Sequence, residues 1–507
     1  MNTAMLLLAT ITAATGGTLA FLRWLRVAQR EHYLPGSTSR FAMRWWLADA
    51  GSKFLAVVAV TGTMLSIRFP AGACLSGLAL IFGPVGLSVR GRSAPLVWTR
   101  RLKSVTIVAA SLTIILAVLG FLITDSIALI SLSALAIPAI IDFSLLLLRP
   151  FEKCLARRYV RQAAQRLQAV HPIVVAITGS YGKTTTKEYL RHLVSGARTV
   201  VASPASYNNT AGLCRTINEH LAAGTDVLIA EVGTYGKGEI REICSWLKPS
   251  IGVITSIGPV HLERMGSLEN IVQAKSEILE NVDLSILNTD SPHLQRIADK
   301  MRTESVVRCG SNEESCAVAA KVSEKSIELY ISGKHVATVY NPSLFASNLA
   351  LAVATALSLD VPVEHIIKQL DSLPSPAHRQ QIVKTSTGVR VIDNTYNSNP
   401  AGAAHALRLL SEIPHTGRRV VVSPGMIELG DLQRCENETF ARNAADTATD
   451  ILIIGRSNHA ALLKGARDGT ARVLTVRYRE EAVRWVRENL TKGDVVLYEN
   501  DLPDHFP

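Results

Sequence analysis

Nearly all the long apolar runs of this 507-residue chain fall in its first 150 residues, at about 3–21, 54–67, 69–89, 104–123 and 126–148. Three of them approach the ~20 residues a helix needs to cross a bilayer. The two middle runs meet at Arg68 and read as a tight hairpin. The pattern predicts an α-helical membrane bundle of about five spans over residues 1–150 and argues against a wholly soluble fold. The first run lacks the look of a cleaved signal: no Lys or Arg precedes it, and Arg23, Arg26 and Arg30 follow it. At ~150 residues per domain the length leaves room for about two further domains.

The charge follows the same division. The formal net charge is +11, from 53 Lys and Arg against 42 Asp and Glu. Residues 1–170 supply 18 of the basic and 5 of the acidic residues, leaving 35 and 37 for the rest. The basic excess therefore belongs to the membrane third, and a nucleic-acid partner has no support. Arginines and lysines crowd the segments 22–53, 90–103 and 149–166, whereas the intervening loops hold only Arg68. By the positive-inside rule the N-terminus lies outside and everything from residue 149 is cytoplasmic, at the inner or plasma membrane. An odd number of spans demands the same arrangement. Asp142 sits inside the fifth run, where a carboxylate is costly, and reads either as a contact to a ligand or partner or as a group reaching for the interface. Residues 151–170 read as a basic amphipathic linker helix with its cationic face toward anionic lipid. The seven cysteines form no Cys-x-x-Cys pair and read as reduced thiols.

From residue 171 short β-branched runs alternate with helical stretches. Strands are expected at 173–178, 226–232, 251–257, 284–288, 389–393, 418–423, 450–454 and 494–498, with a small meander over 319–340. This is α/β architecture with largely parallel sheets. The proline-rich stretch 374–378 separates two such domains, 171–375 and 376–507.

The strongest local motif is Thr178-Gly-Ser-Tyr-Gly-Lys-Thr-Thr-Thr186, after a strand and opening a helix. Gly179, Ser180 and Gly182 let backbone N–H groups wrap phosphates, Lys183 reaches the terminal phosphates, and Thr184, followed by Thr185, can hold Mg²⁺. The spacing is shorter than that of the general phosphate loop. Glu231 ends one strand and His261 follows another, so both are expected at the carboxyl edge of the sheet beside this loop. Together they suit a magnesium site at the γ-phosphate.

These elements, followed by His261-Leu-Glu-Arg-Met-Gly-Ser-Leu-Glu-Asn and Ala274-Lys-Ser-Glu-Ile278, resemble the Mur ligase family, which joins an amino acid or peptide to a carboxylate with ATP in peptidoglycan synthesis. Asp393-Asn-Thr-Tyr-Asn-Ser-Asn-Pro400 and Gly425-Met-Ile-Glu-Leu-Gly430 resemble its last domain. Gly238-Glu-Ile240 and Tyr396-Asn-Ser-Asn-Pro400 are most similar to the type that adds D-alanyl-D-alanine to a UDP-muramoyl-tripeptide. The resemblance covers about 172–500. It implies a phosphate-loop central domain and a Rossmann-like C-terminal domain. It also implies that an acceptor carboxylate becomes an acyl phosphate, which an amine then attacks. On it, Lys183, His261 and Lys275 are catalytic, with Lys275 carried as a carbamate. Thr184, Glu231, His261 and Lys275 support Mg²⁺. Asn348, Arg379 and Asp393 contact ATP, and Asn208, Asn209, Tyr396, Asn397 and Asn399 lie toward the substrates. Asn288 and Asp290 resemble a family turn. The acceptor is expected to be a muramoyl peptide, UDP-linked or lipid-linked, and the donor an amino acid or dipeptide.

Departures from the family pattern are concentrated in four places. Leu344-Phe345 stands where the family has His-Asn, and Pro424-Gly425-Met426 where it has Gly-Asp-Met. Tyr498-Glu-Asn-Asp501 replaces Lys-Gly-Ser. The membrane bundle stands in place of the small domain that grips the UDP-sugar. Three rival readings stay open: another ATP-dependent amide ligase acting on a poly-glutamate or envelope polymer, a Mur-like synthetase that amidates lipid-linked muramoyl peptide, and a membrane scaffold with a degenerate ATPase domain. Oligomeric state is not encoded in any of these features.

Overall fold

The computed structural model describes residues 3–91, 95–124, 127–204, 207–323, 326–341, 343–374, 378–396 and 398–506. The chain divides into two compact units. One comprises Met1–Leu155 with Gly455–Ser457 and Leu502–Pro507, the other Ala156–Ile454 with Asn458–Asp501.

The first unit is helical: α1 (Thr3–Arg30), α2 (Ser37–Leu47), α3 (Ala50–Leu65), α4 (Ala71–Phe82), α5 (Arg100–Thr124), α6 (Ala128–Leu135) and α7 (Ile137–Val170). Among the described residues, only α1 and α5 are long and apolar enough to cross a bilayer as single helices. The pairs α2–α3, bent by 112°, and α6–α7, bent by 65°, raise the number of candidates to four. The expectation of five full spans is thus corrected by length. The second arm of the hairpin, α4, has 12 residues, which at 1.5 Å each reach about 18 Å of a ~30 Å core.

Small residues bring these helices together. Ala9, Ala13, Gly16 and Ala20 are buried on one stripe of α1, spaced at three and four residues. A Cβ on Gly77 of α4 would stand 2.5 Å from the Thr12 carbonyl oxygen of α1. Such backbone approach supplies the packing where apolar surroundings give no hydrophobic drive. On its other side α4 meets α3, where the Thr63 and Ser76 hydroxyls are 3.0 Å apart. Arg23 of α1 donates to the carbonyls of Leu80 (2.7 Å), Ile81 (2.7 Å) and Gly83 (2.9 Å), satisfying the orphan acceptors at the end of α4. The Arg-rich end of α1 and the C-terminal end of α4 therefore lie together. Ala73, near the Arg68 turn, instead packs with Ala9 and Ala13 toward the other end of α1. The start of α5 returns to the basic end, with the Arg101 guanidinium 4.5 Å from the Tyr33 ring. Outward-facing Leu7, Ile11, Phe54, Val57, Ile107 and Ile114 are exposed.

Asp142 has a structural partner. Its carboxylate accepts from Thr38 N (3.2 Å) and Ser39 N (2.8 Å), capping the N-terminus of α2, whose own N-cap residue, Gly36, has no side chain to offer. Helix N-termini carry unpaired N–H groups and favour anions. Asp142→Ala is expected to destabilise the bundle by about 1–3 kcal/mol, the usual penalty for leaving buried donors unmet. A thermal melt in detergent checks it, and an unchanged midpoint would refute the cap.

The C-terminal residues belong to this unit as well. Asp504 pairs with buried Arg26 at 2.8 Å, His505 Nε2 lies 2.9 Å from Glu31, and the Trp45 indole donates to the His505 carbonyl at 2.8 Å. Phe506 packs edge-on against Phe41.

The second unit holds two sheets. Strands β1 (Ile173–Thr178), β2 (Val200–Ala202), β3 (Val227–Glu231), β4 (Ile251–Ile254), β5 (Leu284–Asn288), β6 (Val306–Gly310), β7 (Val318–Ser323), β8 (Ser326–Ile331) and β9 (Lys334–Val339) form a sheet of order β2-β3-β1-β4-β5-β6-β7-β8-β9. All its pairings through β7 are parallel, and β7, β8 and β9 form the antiparallel meander. Strands β10 (Gln381–Lys384), β11 (Arg390–Asn394), β12 (Arg419–Ser423), β13 (Asp450–Ile454), β14 (Arg472–Val476) and β15 (Val495–Glu499) form the second, of order β10-β11-β15-β12-β13-β14. Both faces of β1 are covered. Val175 and Ile177 pack on Tyr189, Leu190 and Leu193, and Val174 and Ala176 on Leu213 and Ile217. Double burial explains why it reads as a continuous apolar run.

The eight expected strands are present, several with shifted ends. Four more, β2, β6, β10 and β14, were not expected. Three of them are sheet edges or the neighbour of one: β2, β10 and β14 each pair on one side only, and half-buried edges carry weak apolar patterning. The linker 151–170 is helical, as expected, with Arg157, Arg158 and Arg161 exposed on it. It continues α7 without a break, and Ala163 and Leu167 are buried against Leu213, Ile217 and Leu221. Arg166 is committed to the Leu221 (2.5 Å) and Asn218 (3.2 Å) carbonyls. The break at 374–378 falls largely outside the described residues.

Candidate active site

Strand β1 lies between β3 and β4 and is parallel to both, so the loops leaving these three strands open on one carboxyl edge, where ligands of open parallel sheets bind. The loop after β1 turns directly into the helix Lys183–Val194. Gly182 caps that helix at φ 80°, and a Cβ there would collide with the Asn348 carboxamide. Gly179 is pressed against Thr255 in the same way. Thr255 and Ser256, following β4, hold the loop open. Ser180 N donates to Ser256 O and Tyr181 N to Ser256 Oγ, each at 2.8 Å, while Ser180 Oγ donates to Gly258 O at 3.0 Å. Thr185 is buried at the start of the helix.

Two lysines converge on one carbonyl. Lys183 Nζ and Lys275 Nζ donate to Gly179 O at 2.8 and 2.9 Å. Lys275 lies on the helix Leu268–Ser276 and is 5% exposed. Burial, reinforced by the Lys183 charge, pushes its ammonium well below the ordinary lysine range. Burial also lowers Lys183, with Glu231 opposing and Arg379 reinforcing.

Glu231, at the end of β3, is the acidic centre and is fully enclosed. It accepts from Thr184 Oγ1 (2.9 Å) and Asn208 Nδ2 (3.2 Å) and faces Lys187 Nζ at 3.4 Å. Arg379 Nη2 reaches the same Thr184 hydroxyl at 3.4 Å, and its guanidinium lies 4.8 Å from the Tyr396 ring. Burial lowers the Arg379 pKa, with Glu231 and Tyr396 opposing. Asp393 accepts from Thr395 Oγ1 (2.6 Å) and pairs with His378 Nδ1 (2.7 Å). Burial alone would raise its carboxyl, but these bonds outweigh it and hold the group below its usual range.

His261 leaves β4 on a left-handed turn (φ 56°) and bonds through Nδ1 to Glu428, rather than to the Thr184–Glu231 pair. Among the described residues no three His, Cys, Asp or Glu side chains gather as a metal-binding group. The oxygen donors that do meet, Thr184 and Glu231, fit Mg²⁺, which needs few protein ligands when phosphates and water complete its shell.

Other expected residues have local duties. Asn209 accepts from Gly212 N and Asn399 from Gly402 N, each at 2.9 Å, so both cap helices. Asn288 donates to the Thr255 carbonyl at 3.0 Å, and Asp290 accepts from Ser311 N at 2.9 Å, which makes both supports of the loop ends. Tyr396 is exposed; Asn397 lies outside the described residues. Phe345, in the place of the family's asparagine, stacks on His405 with ring centroids 4.5 Å apart.

Two acids acquire a role only in three dimensions. Glu428 was visible as a motif member but not as the partner of His261. Glu499, at the end of β15, is fully buried and accepts from Asn394 Nδ2 (2.8 Å) and from Ser398 Oγ. Burial pushes its carboxyl up to about 7. Its only sequence signal was the departure from Lys-Gly-Ser.

The comparisons agree with this geometry. The Mur ligase middle domain matches residues 177–356 and the Mur ligase, glutamate ligase domain residues 378–498. The UDP-N-acetylmuramoyl-tripeptide--D-alanyl-D-alanine ligase of Mycobacterium tuberculosis is 31% identical over 376 residues, covering 66% of this chain and 71% of that protein. The crystal structure of MurF from Acinetobacter baumannii superposes with a TM-score of 0.60 at 25% identity, covering 68% of this chain and 77% of its own. MurF from Thermotoga maritima in complex with ADP, at 23% identity and TM-score 0.59, covers 68% and 80% and shares the fold. With its phosphate loop, Thr184–Glu231 pair and two-sheet arrangement in the same order, the chain belongs to the Mur ligase family and is an ATP-dependent ligase.

Proposed function

We propose that the protein adds an amino acid or a dipeptide such as D-alanyl-D-alanine to a muramoyl-peptide carboxylate, in peptidoglycan precursor synthesis at the membrane. The observation that carries this is the meeting of Lys183, Lys275, Thr184 and Glu231 at one sheet edge in a chain whose relatives make that bond. The ligase domains extend over 171–375 and from 376 onward, with the terminal Leu502–Pro507 belonging to the helical unit. ATP with its magnesium supplies the phosphoryl group and the charge neutralisation that convert the acceptor carboxylate into an acyl donor. Lys183 faces the terminal phosphates. Thr184 and Glu231 would hold the metal, with His261 as the further expected ligand. Burial lowers the Lys275 pKa and so favours the amine form that takes up carbon dioxide, and as a carbamate it would become an anion beside Lys183. Asn348 closes on the phosphate loop, and Arg379 and Asp393 bring the C-terminal half onto the nucleotide. Asn208 orients Glu231, while Asn209 and Asn399, through the helices they cap, set loops toward the acceptor and donor, for which Tyr396 and Asn397 are the further expected contacts. Water is excluded as the halves close, which protects the activated acyl group.

The helical unit is the membrane anchor, with its N-terminus outside and the ligase unit cytoplasmic. The Arg-rich end of α1 and the basic start of α5 lie at one end of the bundle with the C-terminus of α4, which supports this orientation, and the exposed apolar rows on α1, α3 and α5 support lipid contact. The test is transfer of labelled D-alanyl-D-alanine by the full-length protein in detergent to UDP-linked and to lipid-linked muramoyl tripeptide. Product on either acceptor supports the reading and identifies the carrier. ATP-dependent product with another amine, and none with muramoyl acceptors, would replace it with the polymer-ligase alternative.

A further inference from the structure

His261, Arg264, Tyr235 and Glu428 form a closed group in which the segment 261–265 meets the turn 428–432. Glu428 Oε2 bonds to His261 Nδ1 across 167 residues of sequence, and Glu428 Oε1 accepts from Arg264 Nη2 at 2.8 Å. The Arg264 guanidinium lies 5.0 Å from the Tyr235 ring, whose centroid is 5.1 Å from that of His261 in an edge-on arrangement. The backbones are seated as closely: a Cβ on Gly430 would stand 3.4 Å from Leu262 Cγ and 3.5 Å from Glu263 N. His261 (φ 56°) and Glu428 (φ 63°) both occupy the left-handed region, which residues with side chains populate sparsely and which persists where surroundings enforce it. The first segment follows a strand of the nine-stranded sheet and the second a strand of the six-stranded sheet.

We propose that Glu428 is a positioning residue that locks the His261 ring and, through Arg264, latches the two halves of the ligase unit, so that His261 is set for its work only in the closed arrangement. A carboxylate that accepts from Nδ1–H fixes the tautomer and leaves Nε2 as the ring nitrogen with a free lone pair. A histidine that must serve a metal or a phosphate-bound water needs that nitrogen aimed. Placing the orienting acid on the opposite half makes the aim conditional on closure, which suits a reaction whose activated acyl group must be kept from water. The role of His261 rests on the ligase reading above, whereas the latch does not.

The test uses the full-length protein in detergent with Glu428→Ala, Glu428→Gln and the exchange Arg264→Glu/Glu428→Arg. Amide hydrogen exchange across 258–268 and 424–434, without nucleotide, reads the latch. The magnesium concentration for half-maximal turnover, with kcat and the donor KM, reads the positioning. Glu428→Ala is expected to speed exchange in both segments, raise the magnesium requirement and lower kcat by about 10- to 100-fold, and leave the donor KM unchanged. Glu428→Gln, which keeps an acceptor for His261, recovers part of kcat. The exchanged pair restores protection without restoring turnover, because His261 still lacks its acceptor. Unchanged exchange in Glu428→Ala overturns the proposal. So does faster exchange with an unaltered magnesium requirement, since Glu428 would then only pack. A wild-type protein with no ligase activity would remove the ligase reading, while the exchange data would still show whether the latch exists.

Discussion

Lys183→Ala is expected to lower ATP-dependent amide formation by at least about 10³-fold, the scale seen when a preorganised charge is removed from a phosphoryl-transfer site. The fold should survive. The Lys183 ammonium donates to the Gly179 carbonyl, and that acceptor keeps Lys275 as a second donor. Burial already holds the ammonium below its ordinary range, with Glu231 only partly offsetting this. Removing it relieves a desolvated cation, so the melting temperature should hold or rise. The measurement pairs product formation with a thermal melt on the same preparation. Amide formation within tenfold of wild type would refute the role of Lys183, whereas cellular function left intact by Lys183→Ala would make the scaffold reading the better one.

Lys275→Met is expected to separate function from stability more sharply. Activity should fall by about 10²-fold or more, as when a group supporting a metal site is lost. Stability should change in a pH-dependent way. The folded pKa of Lys275 lies well below the ordinary 10.5, so between the two values the unfolded chain binds the additional proton. Stability then rises with pH across that window, and the full cost of the buried cation is felt below the folded value. Replacing Lys275 by methionine removes this contribution. Urea melts between about pH 7 and pH 10, with bicarbonate excluded, should show a flatter slope for the variant than for wild type. Isotope-labelled bicarbonate should give a carbamate carbon signal in wild type and none in Lys275→Met. Equal slopes in the two proteins would show that Lys275 is not the buried base described here.

Glu499 shows why a site of this kind is only partly legible in a sequence. Nothing in Tyr498-Glu-Asn-Asp501 distinguishes it from a solvated strand end. Only the parallel pairing of β11 with β15 brings it to Asn394, and only enclosure raises its carboxyl to about 7. Asp142 is the same lesson in the bundle. Its cost in an apolar helix was evident, but its partners, the first N–H groups of α2, lie about a hundred residues away.

By itself the sequence determined whatever depends on neighbouring residues. The apolar runs, the alternation of strand and helix, and the turn Gly179–Gly182 into a helix each express a local period or a backbone requirement, and all eight expected strands exist for that reason. It also determined the chemistry available at the sheet edge, because residues at the ends of parallel strands must emerge together. The tertiary structure decided how those groups are spent. It placed Glu231 with Thr184, turned His261 toward Glu428, gave Asn209 and Asn399 to helix caps, joined the linker to α7, and shortened the hairpin arm α4 to 12 residues. Each of these turns on a hydrogen bond or packing contact chosen among several that the local sequence permits equally. The choice is made by which buried group would otherwise be left without a partner.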